Sequence, residues 1–291
     1  MEKEHPKVSV IMGVYNGADR MDEAISSIIV QTFKDWEFII CDDASTDDTW
    51  KKLVEWSKKE PRIIPLHNET NMKLAATLNK CLERATGDYV ARMDDDDYSY
   101  PWRLRAEHDF LEINTKYAFV SGQVNGLVGK KIIEDYWHRK EFPKKWDFLI
   151  SSQFIHPATM FRRIPLKKAG GYRVAPETRR LEDYDLFMRL YAMGYIGCNL
   201  KRPLLRYTID NTKTTYAHRI DEVLVRFRGF MSMKLMPWGF PFIFRPLLVG
   251  LVPRNILWKI KTVDKKRKRR EKIKKKKKMK KYGGWRRYFK F

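Results

Sequence analysis

Gly87-Asp-Tyr-Val-Ala-Arg-Met-Asp94-Asp-Asp-Asp97 is the stretch that decides the fold. Gly87-Asp88 is typical of a turn, and Tyr89-Val90-Ala91 predicts a short buried strand. Four consecutive carboxylates stand just beyond that strand. Ligands of open α/β sheets bind beyond the carboxyl ends of the strands. The stretch therefore predicts an α/β fold with an acidic site at one edge of its sheet.

The acid run 94–97 allows several interpretations. Runs of like charge are usually exposed, so the simplest interpretation is a solvated acidic loop. An EF-hand is excluded, because counting from Asp94 the sixth position is Ser99 rather than glycine and the twelfth is Arg105 rather than glutamate. Crowded carboxylates raise one another's pKa or bind a divalent metal. A site for Mg²⁺ or Mn²⁺ against a phosphate is what remains.

Strands and helices alternate upstream of the acids. Apolar runs predict strands at 8–12, 36–41 and 63–66, the last one weaker because it contains a proline. Apolar residues at helical spacing predict a helix after each strand, and a Ser/Thr/Asp cluster at 45–47 is expected to cap the second helix. This order is typical of βαβ units and predicts a mostly parallel sheet flanked by helices.

The pattern becomes mixed beyond Pro101. Strands are predicted at 118–122 and 158–161, and an amphipathic helix over 183–193. We expect this half of the chain to shape an acceptor pocket, and His156 to line it.

Composition excludes a basic nucleic-acid-binding body. The chain of 291 residues carries a formal charge of +23, but residues 259–291 alone hold 19 Lys/Arg and 2 acids. The body shows no basic recognition helix. Three cysteines without C-x-x-C spacing predict buried thiols in a reducing cytosol. The charged N-terminus does not favour a signal peptide.

Four segments, in this order, resemble glycosyltransferase family 2. They are Val8-Ser-Val-Ile-Met-Gly-Val-Tyr15-Asn16, Cys41-Asp42-Asp43-Ala-Ser45-Thr46-Asp47, the stretch 87–97 and Leu181-Glu182-Asp183-Tyr-Asp185-Leu. Within the family the chain is similar to bacterial exopolysaccharide and capsule enzymes, the EpsE-like ones among them. The resemblance implies a GT-A fold, Rossmann-like in its nucleotide-sugar-binding domain, and inverting sugar transfer from a nucleotide-sugar.

The resemblance assigns donor-binding roles to side chains in the first half. Tyr15 would pack on the base, and Asp43 would accept from an N–H of uracil or thymine, with Asn16 as a weaker candidate. Lys73 would meet the diphosphate at a helix start. The alternatives are a core aromatic for Tyr15, a helix cap for Asp43 and a plain surface lysine for Lys73.

The D-x-D pattern of the family fits Asp94 and Asp96. The resemblance makes Asp96 the direct ligand of Mn²⁺ or Mg²⁺ and places Asp94 near the ribose or the metal. Asp95 stands where many members carry a small residue, so it is a further donor-site candidate. It also permits a second register, Asp95 with Asp97.

Asp183 is the candidate catalytic base, because it matches the second position of the Glu-Asp motif of the family. An inverting transfer needs a group that takes the proton of the attacking hydroxyl. The alternative is that Glu182, Asp183 and Asp185 only favour a helix N-terminus through its dipole.

The C-terminal part predicts a membrane-interface extension. We divide the chain into a GT-A domain at 1–215, with a nucleotide-binding half at 1–100 and an acceptor half at 101–215, a helical interfacial segment at 216–263 and a polybasic tail at 264–291. Prolines and arginines interrupt the apolar stretch 235–260, so no bilayer span is expected. Cations beside aromatics suit an anionic inner leaflet; a solvated tail and RNA binding are the alternatives.

The sequence therefore predicts a metal-dependent, inverting glycosyltransferase on the cytoplasmic face of the membrane. Its expected donor is a UDP-sugar and its expected acceptor a polyprenyl-linked or other glycan of surface polysaccharide synthesis. The alternative from another class is a catalytically silent protein of this fold that binds a membrane or partner through its basic C-terminus.

Overall fold

The computed structural model describes residues 5–137, 139–209 and 216–251. The chain groups into two compact units, Met1–Phe244 and Arg245–Phe291. The predicted polybasic tail and the end of the predicted interfacial segment lie outside the described residues.

Alternating strands and helices build the first half of the sheet, as the sequence predicts. The parallel order is β3-β2-β1-β4, because each strand is followed by a helix that crosses back over the sheet. The edge position of β3 tolerates its proline. These elements are β1 (Val8–Val14), α1 (Met21–Ile29), β2 (Trp36–Asp42), α2 (Thr49–Lys59), β3 (Ile63–His67), α3 (Lys73–Arg84) and β4 (Tyr89–Arg92).

The second half of the sheet is mixed. Antiparallel β8 joins β4 to β6, and β9 then runs parallel to β6 and antiparallel to β5, while β7 forms a hairpin with β6. The elements are β5 (Tyr98–Ser99), α4 (Arg103–Ile113), β6 (Tyr117–Val128), β7 (Lys131–Trp137), β8 (Met160–Arg162), α5 (Arg163–Lys168), α6 (Glu182–Ala192) and β9 (Ile196–Thr208). The expected mostly parallel sheet is thus found only in the nucleotide-binding half, whereas the second half combines the parallel pair β6 and β9 with antiparallel pairs.

Two apolar layers cover the two faces of the sheet. Val8, Val10 and Met12 of β1 face the layer that contains α1, whereas Ile11 faces the layer that contains α3 and α6. This alternation has the period of two that a strand buried on both faces requires. All three cysteines are buried and free, as predicted.

Within the described residues after β9, 216–251, the chain forms α7 (Tyr216–Ser232), α8 (Phe240–Ile243) and, in the second compact unit, α9 (Arg245–Leu251). The inner face of α7 packs against α6 through buried Val225 and Phe230. No helix within 5–137, 139–209 and 216–251 is long and apolar enough to cross a bilayer.

Candidate active site

Three carboxylates converge where β4 ends. Asp94, Asp96 and Asp97 each offer an oxygen, and these oxygens lie within 4.8 Å of one another. Burial, followed by the neighbouring carboxylates, raises the pKa of Asp96 to about 6 and that of Asp97 well above its usual range. Like charges held this close favour a bound cation.

The last strand of the sheet holds the acid run in place. The backbone N–H of Thr208 donates to Asp97 Oδ1 at 2.8 Å, and its hydroxyl donates to the carbonyl of Asp96. The other oxygen of Asp97, Oδ2, is buried without a hydrogen-bond partner among the described residues. An orphaned buried carboxylate oxygen beside two further carboxylates fits a hard divalent cation such as Mg²⁺ or Mn²⁺.

Asp95 lies apart from this group. Its carboxylate accepts from Arg20 Nη2 at 2.7 Å, and Arg20 also donates to the carbonyls of Tyr15 and Asn16. This ion pair occupies the Asp95 carboxylate, so the geometry favours Asp94, Asp96 and Asp97 over the alternative register that pairs Asp95 with Asp97. Asp95 instead ties the acid run to the loop after β1.

A buried arginine supports the acids from below. Arg92, the last residue of β4, is 2% exposed and forms an ion pair with Asp94. Burial opposes the charge of Arg92, but the Asp94 carboxylate outweighs it and raises the pKa of the guanidinium. The carbonyl of Arg92 accepts from Arg103 Nη2 at 2.6 Å. Asp94 is thus oriented from within the fold.

The loops after β1 and β2 bind each other. Asn16 adopts a positive φ of 48°, its N–H donates to Ser45 Oγ at 2.9 Å, and its Oδ1 accepts from the N–H of Thr46 at 2.9 Å. The structure gives Asn16 a role in joining the two loops. Tyr15 beside it is 44% exposed. This exposure excludes the alternative that Tyr15 is a core aromatic, and its ring is accessible.

Asp43 closes the loop that leads into α3. Its Oδ1 accepts from Asn68 Nδ2 and from the N–H of Met72, both at 2.8 Å, and its Oδ2 accepts from the N–H of Lys73 at 2.9 Å. The carboxylate therefore caps α3 from the loop after β2, and among the described residues its Oδ2 accepts this one hydrogen bond, which leaves it a free lone pair.

Lys73 begins α3 with a positive φ of 70° and an exposed side chain.

The cap of α2 differs in detail from the predicted one. Asp48 at the N-cap position makes no side-chain hydrogen bond, and Asp47 accepts from the N–H of Thr49 at 3.0 Å instead.

A cleft of about 340 Å³ joins the acid run to the start of α6. Asp94 and Asp183 both line it, so two distant motifs of the sequence meet in one cavity. Burial raises the pKa of Asp183, although the N–H of Tyr184 and the arginines Arg92 and Arg139 oppose this. A carboxylate with a raised pKa is a stronger base than an exposed one.

Glu182 and His156 also line the cleft. Burial, and then the charge of Asp183, raises the pKa of Glu182 to about 7. Burial, and then Arg92, lowers the pKa of His156 well below its usual range, and His156 Nε2 lies 2.9 Å from the Tyr172 hydroxyl. His156 is thus a neutral, fixed part of the wall.

Fold and site together define a glycosyltransferase of the GT-A fold. The family model described as "Glycosyl transferase family 2" matches residues 9–170. The chain is 34% identical over 261 residues to the glycosyltransferase EpsE of Bacillus subtilis (strain 168), a match that covers 87% of this chain and 92% of that protein. The chain therefore belongs to glycosyltransferase family 2, with relatives of the exopolysaccharide type.

Another relative agrees with this assignment, and two solved structures share the fold. A β-1,3-glucosyltransferase of Escherichia coli, WfaP, whose name gives UDP-Glc and α-D-GlcNAc-diphosphoundecaprenol as its substrates, is 33% identical over 199 residues, which is 64% of this chain and 71% of WfaP. TarS 1-349 of S. aureus with UDP-GlcNAc superposes with a TM-score of 0.65 at 20% identity, over 82% of this chain and 73% of that one. The mannosyltransferase PcManGT of Pyrobaculum calidifontis, in complex with GDP-Man and Mn²⁺, gives 0.58 at 20% identity, over 89% and 80%.

Several residues of the site carry no signal in the sequence. Arg20 and Thr208 bind the acid run although they are far from it in the sequence. Trp137, Arg139 and Tyr207 line the cleft and come from the second half of the chain, where the sequence pattern is mixed. Arg92 could have been found, because a cation between a predicted buried strand and four carboxylates is well placed to pair with one of them.

Proposed function

We propose that this protein transfers a sugar from a UDP-sugar to a glycan acceptor with inversion, during the assembly of a surface polysaccharide. The observation that carries the proposal is the meeting of Asp94 and Asp183 in one cleft. Such a reaction needs a group that holds a cation against the diphosphate and a group that deprotonates the attacking hydroxyl. The cleft offers Asp94 for the first role and Asp183 for the second.

The donor nucleotide is proposed to lie over the loops after β1 and β2. The accessible ring of Tyr15 would stack on the base, and the free lone pair of Asp43 Oδ2 would accept from its N3–H. Asn16 would act by fixing this loop, and the exposed cation of Lys73 would face the diphosphate. Asp95, through Arg20, would keep the loop against the acid run.

A divalent cation is proposed to bind Asp96 and Asp94, with Asp97 as a third ligand. Mn²⁺ or Mg²⁺ bound there would neutralise the charge of the leaving nucleoside diphosphate. Arg92 holds Asp94 in place and Thr208 holds Asp97, so two of the ligands are positioned before the ion binds.

Asp183 is proposed as the base of a single displacement. Its carboxylate would accept the proton of the acceptor hydroxyl as that oxygen attacks the anomeric carbon, which inverts the configuration. The burial that raises the pKa of Asp183 makes it a better proton acceptor in the transition state. Neutral His156 would shape the acceptor side.

A lipid-linked acceptor at an anionic membrane surface is the remaining part of the proposal. The outer face of α7 carries exposed Ile220, Leu224, Phe227 and Met231 at helical spacing, and the loop before α8 adds Trp238, which is 74% exposed. Further along the sequence, residues 259–291 carry a net charge of +17, and apolar and aromatic residues combined with such cations suit a surface of anionic lipid. The division of the chain at 216 and 264 belongs to this proposal.

Isothermal titration with UDP, with and without Mn²⁺, is the test. We expect UDP to bind more tightly with Mn²⁺ than without it, and more tightly than GDP. Asp96→Ala should remove the effect of the metal, while Asp109→Ala, at an exposed carboxylate on α4, should not. Preference for dTDP would redirect the donor to a deoxysugar nucleotide. Failure to bind any of the three nucleotides would contradict the proposal and favour a silent binding protein.

A further inference from the structure

We propose that Trp137, Arg139 and Tyr207 form an acceptor subsite that binds a diphosphate on the acceptor sugar. The proposal rests on the proposed function, since it names the substrate class that enters the Asp183 side of the cleft. All three residues line that cleft together with Asp183.

The backbone of Arg139 is clamped in place. Gln123 of β6 is 1% exposed, its Oε1 accepts from the N–H of Arg139 at 2.7 Å, and its Nε2 donates to the carbonyl of Arg139 at 3.2 Å. Two hydrogen bonds from one buried amide fix both backbone polar groups of Arg139. The side chain of Arg139, which lines the cleft, therefore starts from a fixed backbone.

The guanidinium of Arg139 lacks a hydrogen bond or ion pair within the described parts of the chain, and its Nε is buried without a partner. Burial lowers the pKa of Arg139, and only the charge of Asp183 opposes this. Arg139 is half-buried, and a cation in that position without a paired anion is costly, so the site gains free energy when an anion enters. Phosphate is the anion whose geometry a guanidinium matches best.

An aromatic wall stands beside this cation. The rings of Trp137 and Tyr207 pack with centroids 4.7 Å apart, and Cζ of Arg139 lies 5.8 Å from the Trp137 ring. Aromatic faces present an apolar surface on which a sugar ring can pack, and polar groups nearby fix its orientation. A wall, a cation and a base in one cleft match a sugar that carries an anion and a reactive hydroxyl.

The size of the cleft limits how far the anion can be from the reacting hydroxyl. About 340 Å³ accommodates one sugar and its substituent rather than a long oligosaccharide. In a monosaccharide with a diphosphate on its anomeric carbon, one ring separates the phosphate from the other hydroxyls. Such a molecule would place the phosphate at Arg139 and a hydroxyl at Asp183 together.

The donor diphosphate is the other source of the same chemistry, and calorimetry with two probes separates the sources. One probe is N-acetylglucosamine α-diphosphate with a short alkyl chain, and the other is the neutral alkyl glycoside of the same sugar. We expect Arg139→Gln to weaken binding of the diphosphate probe at least tenfold, Arg139→Lys to restore part of it, and neither to change binding of the neutral probe or of UDP with Mn²⁺.

Two further variants serve as controls. Trp137→Ala should weaken binding of both probes alike, because it removes the wall and not the charge. Arg202→Gln, at an exposed arginine that stacks on Trp102 at 4.1 Å outside the cleft, should change neither. Thermal unfolding of each variant shows whether its fold is intact.

Each result decides between clear alternatives. Equal binding of both probes by the unmodified protein, or an unchanged affinity of Arg139→Gln for the diphosphate probe, overturns the subsite. A loss confined to UDP assigns Arg139 to the donor and overturns it as well. If the diphosphate probe binds through Arg139 but UDP does not bind, the subsite stands and the proposed function fails.

Discussion

Asp183 and Glu182 are neighbours in the chain, and both acidic groups line the cleft. Asp183 is proposed to act on the substrate. Glu182 is 7% exposed and has a pKa of about 7, so its burial affects the stability of the fold. The two residues therefore give separate predictions, one for catalysis and one for stability.

Asp183→Asn should lower kcat about 100-fold or more, because an amide cannot accept the proton and a positioned base contributes 10²–10⁴-fold. Affinity for UDP with Mn²⁺ should stay within twofold, since Asp183 is proposed to contact only the acceptor. Steady-state rates and calorimetry measure the two effects. Asp109→Asn is the matched control, and strong transfer by the Asp183 variant would remove it as the base.

Glu182→Gln should stabilise the protein above neutral pH. The folded state holds the proton of Glu182 up to a pKa of about 7, whereas the unfolded chain loses it near 4.5. Stability therefore falls as the pH rises between those values, by on the order of 3 kcal/mol for one group. We expect the variant to be more stable than the parent at pH 8 and equally stable at pH 4.

Urea unfolding of metal-free protein at both pH values measures this difference. Glu83→Gln, at an exposed glutamate of α3, is the control. A gain in stability that is the same at pH 4 and pH 8 would show that Glu182 is not the source.

The sequence predicts individual acids better than their partners. Asp94, Asp96 and Asp183 belong to short motifs, and the structure brings their predicted neighbourhoods together. Asp43 lies in the loop after β2, and its hydrogen bonds to the α3 loop follow from three-dimensional contact across 25 to 30 positions. Such contacts have no local pattern in a sequence.

At the scale of elements, the turn that leads into β4 packs closely against the backbone of β1. A Cβ on Gly87 would lie 2.6 Å from the backbone nitrogen of Ser9, whereas a Cβ on Gly13 would meet only side chains, Thr77 Cγ2 at 3.1 Å and Leu74 Cδ1 at 3.2 Å. A backbone atom cannot move away from an added methyl group as easily as the end of a side chain can.

Gly87→Ala should therefore destabilise the protein by about 2–3 kcal/mol, because relieving the clash requires β1 and β4 to separate. Gly13→Ala should cost less, on the order of 1 kcal/mol. Denaturant midpoints of both variants test the order. A Gly13 variant less stable than the Gly87 variant would contradict it.

The predicted elements of the first half are found at their expected positions, because local apolar periodicity and the alternation of strands with helices are enough to predict them. The second half was harder for a physical reason. Strand β9 has 13 residues and interrupts its apolar pattern with Lys201 and Arg202, and β5 has only two residues. Pairing with distant strands, rather than local periodicity, makes them strands.

For the whole molecule, the C-terminal part should govern where the protein resides. Deletion of residues 259–291 should reduce co-sedimentation with vesicles of phosphatidylglycerol and phosphatidylcholine at least tenfold, because it removes a net charge of +17. Binding of the full chain should weaken at high salt. Neutral vesicles should bind neither protein.

Phe227→Glu on the outer face of α7 should also weaken vesicle binding, while leaving UDP binding unchanged. Ile113→Glu, at an apolar residue of α4 that is 81% exposed, is the matched control. Unchanged sedimentation of both the tail deletion and the Phe227 variant would exclude this surface and this tail from membrane binding.

The bond between Thr208 and Asp97 spans 111 positions of the chain. A ribosome that has made the acid run must therefore add all of β6 to β9 before the run acquires its last anchor. A nascent chain that stops short of β9 leaves the buried oxygens of Asp97 without the Thr208 N–H. Synthesis itself thus delays the completed cation site until the acceptor side of the cleft has also been made.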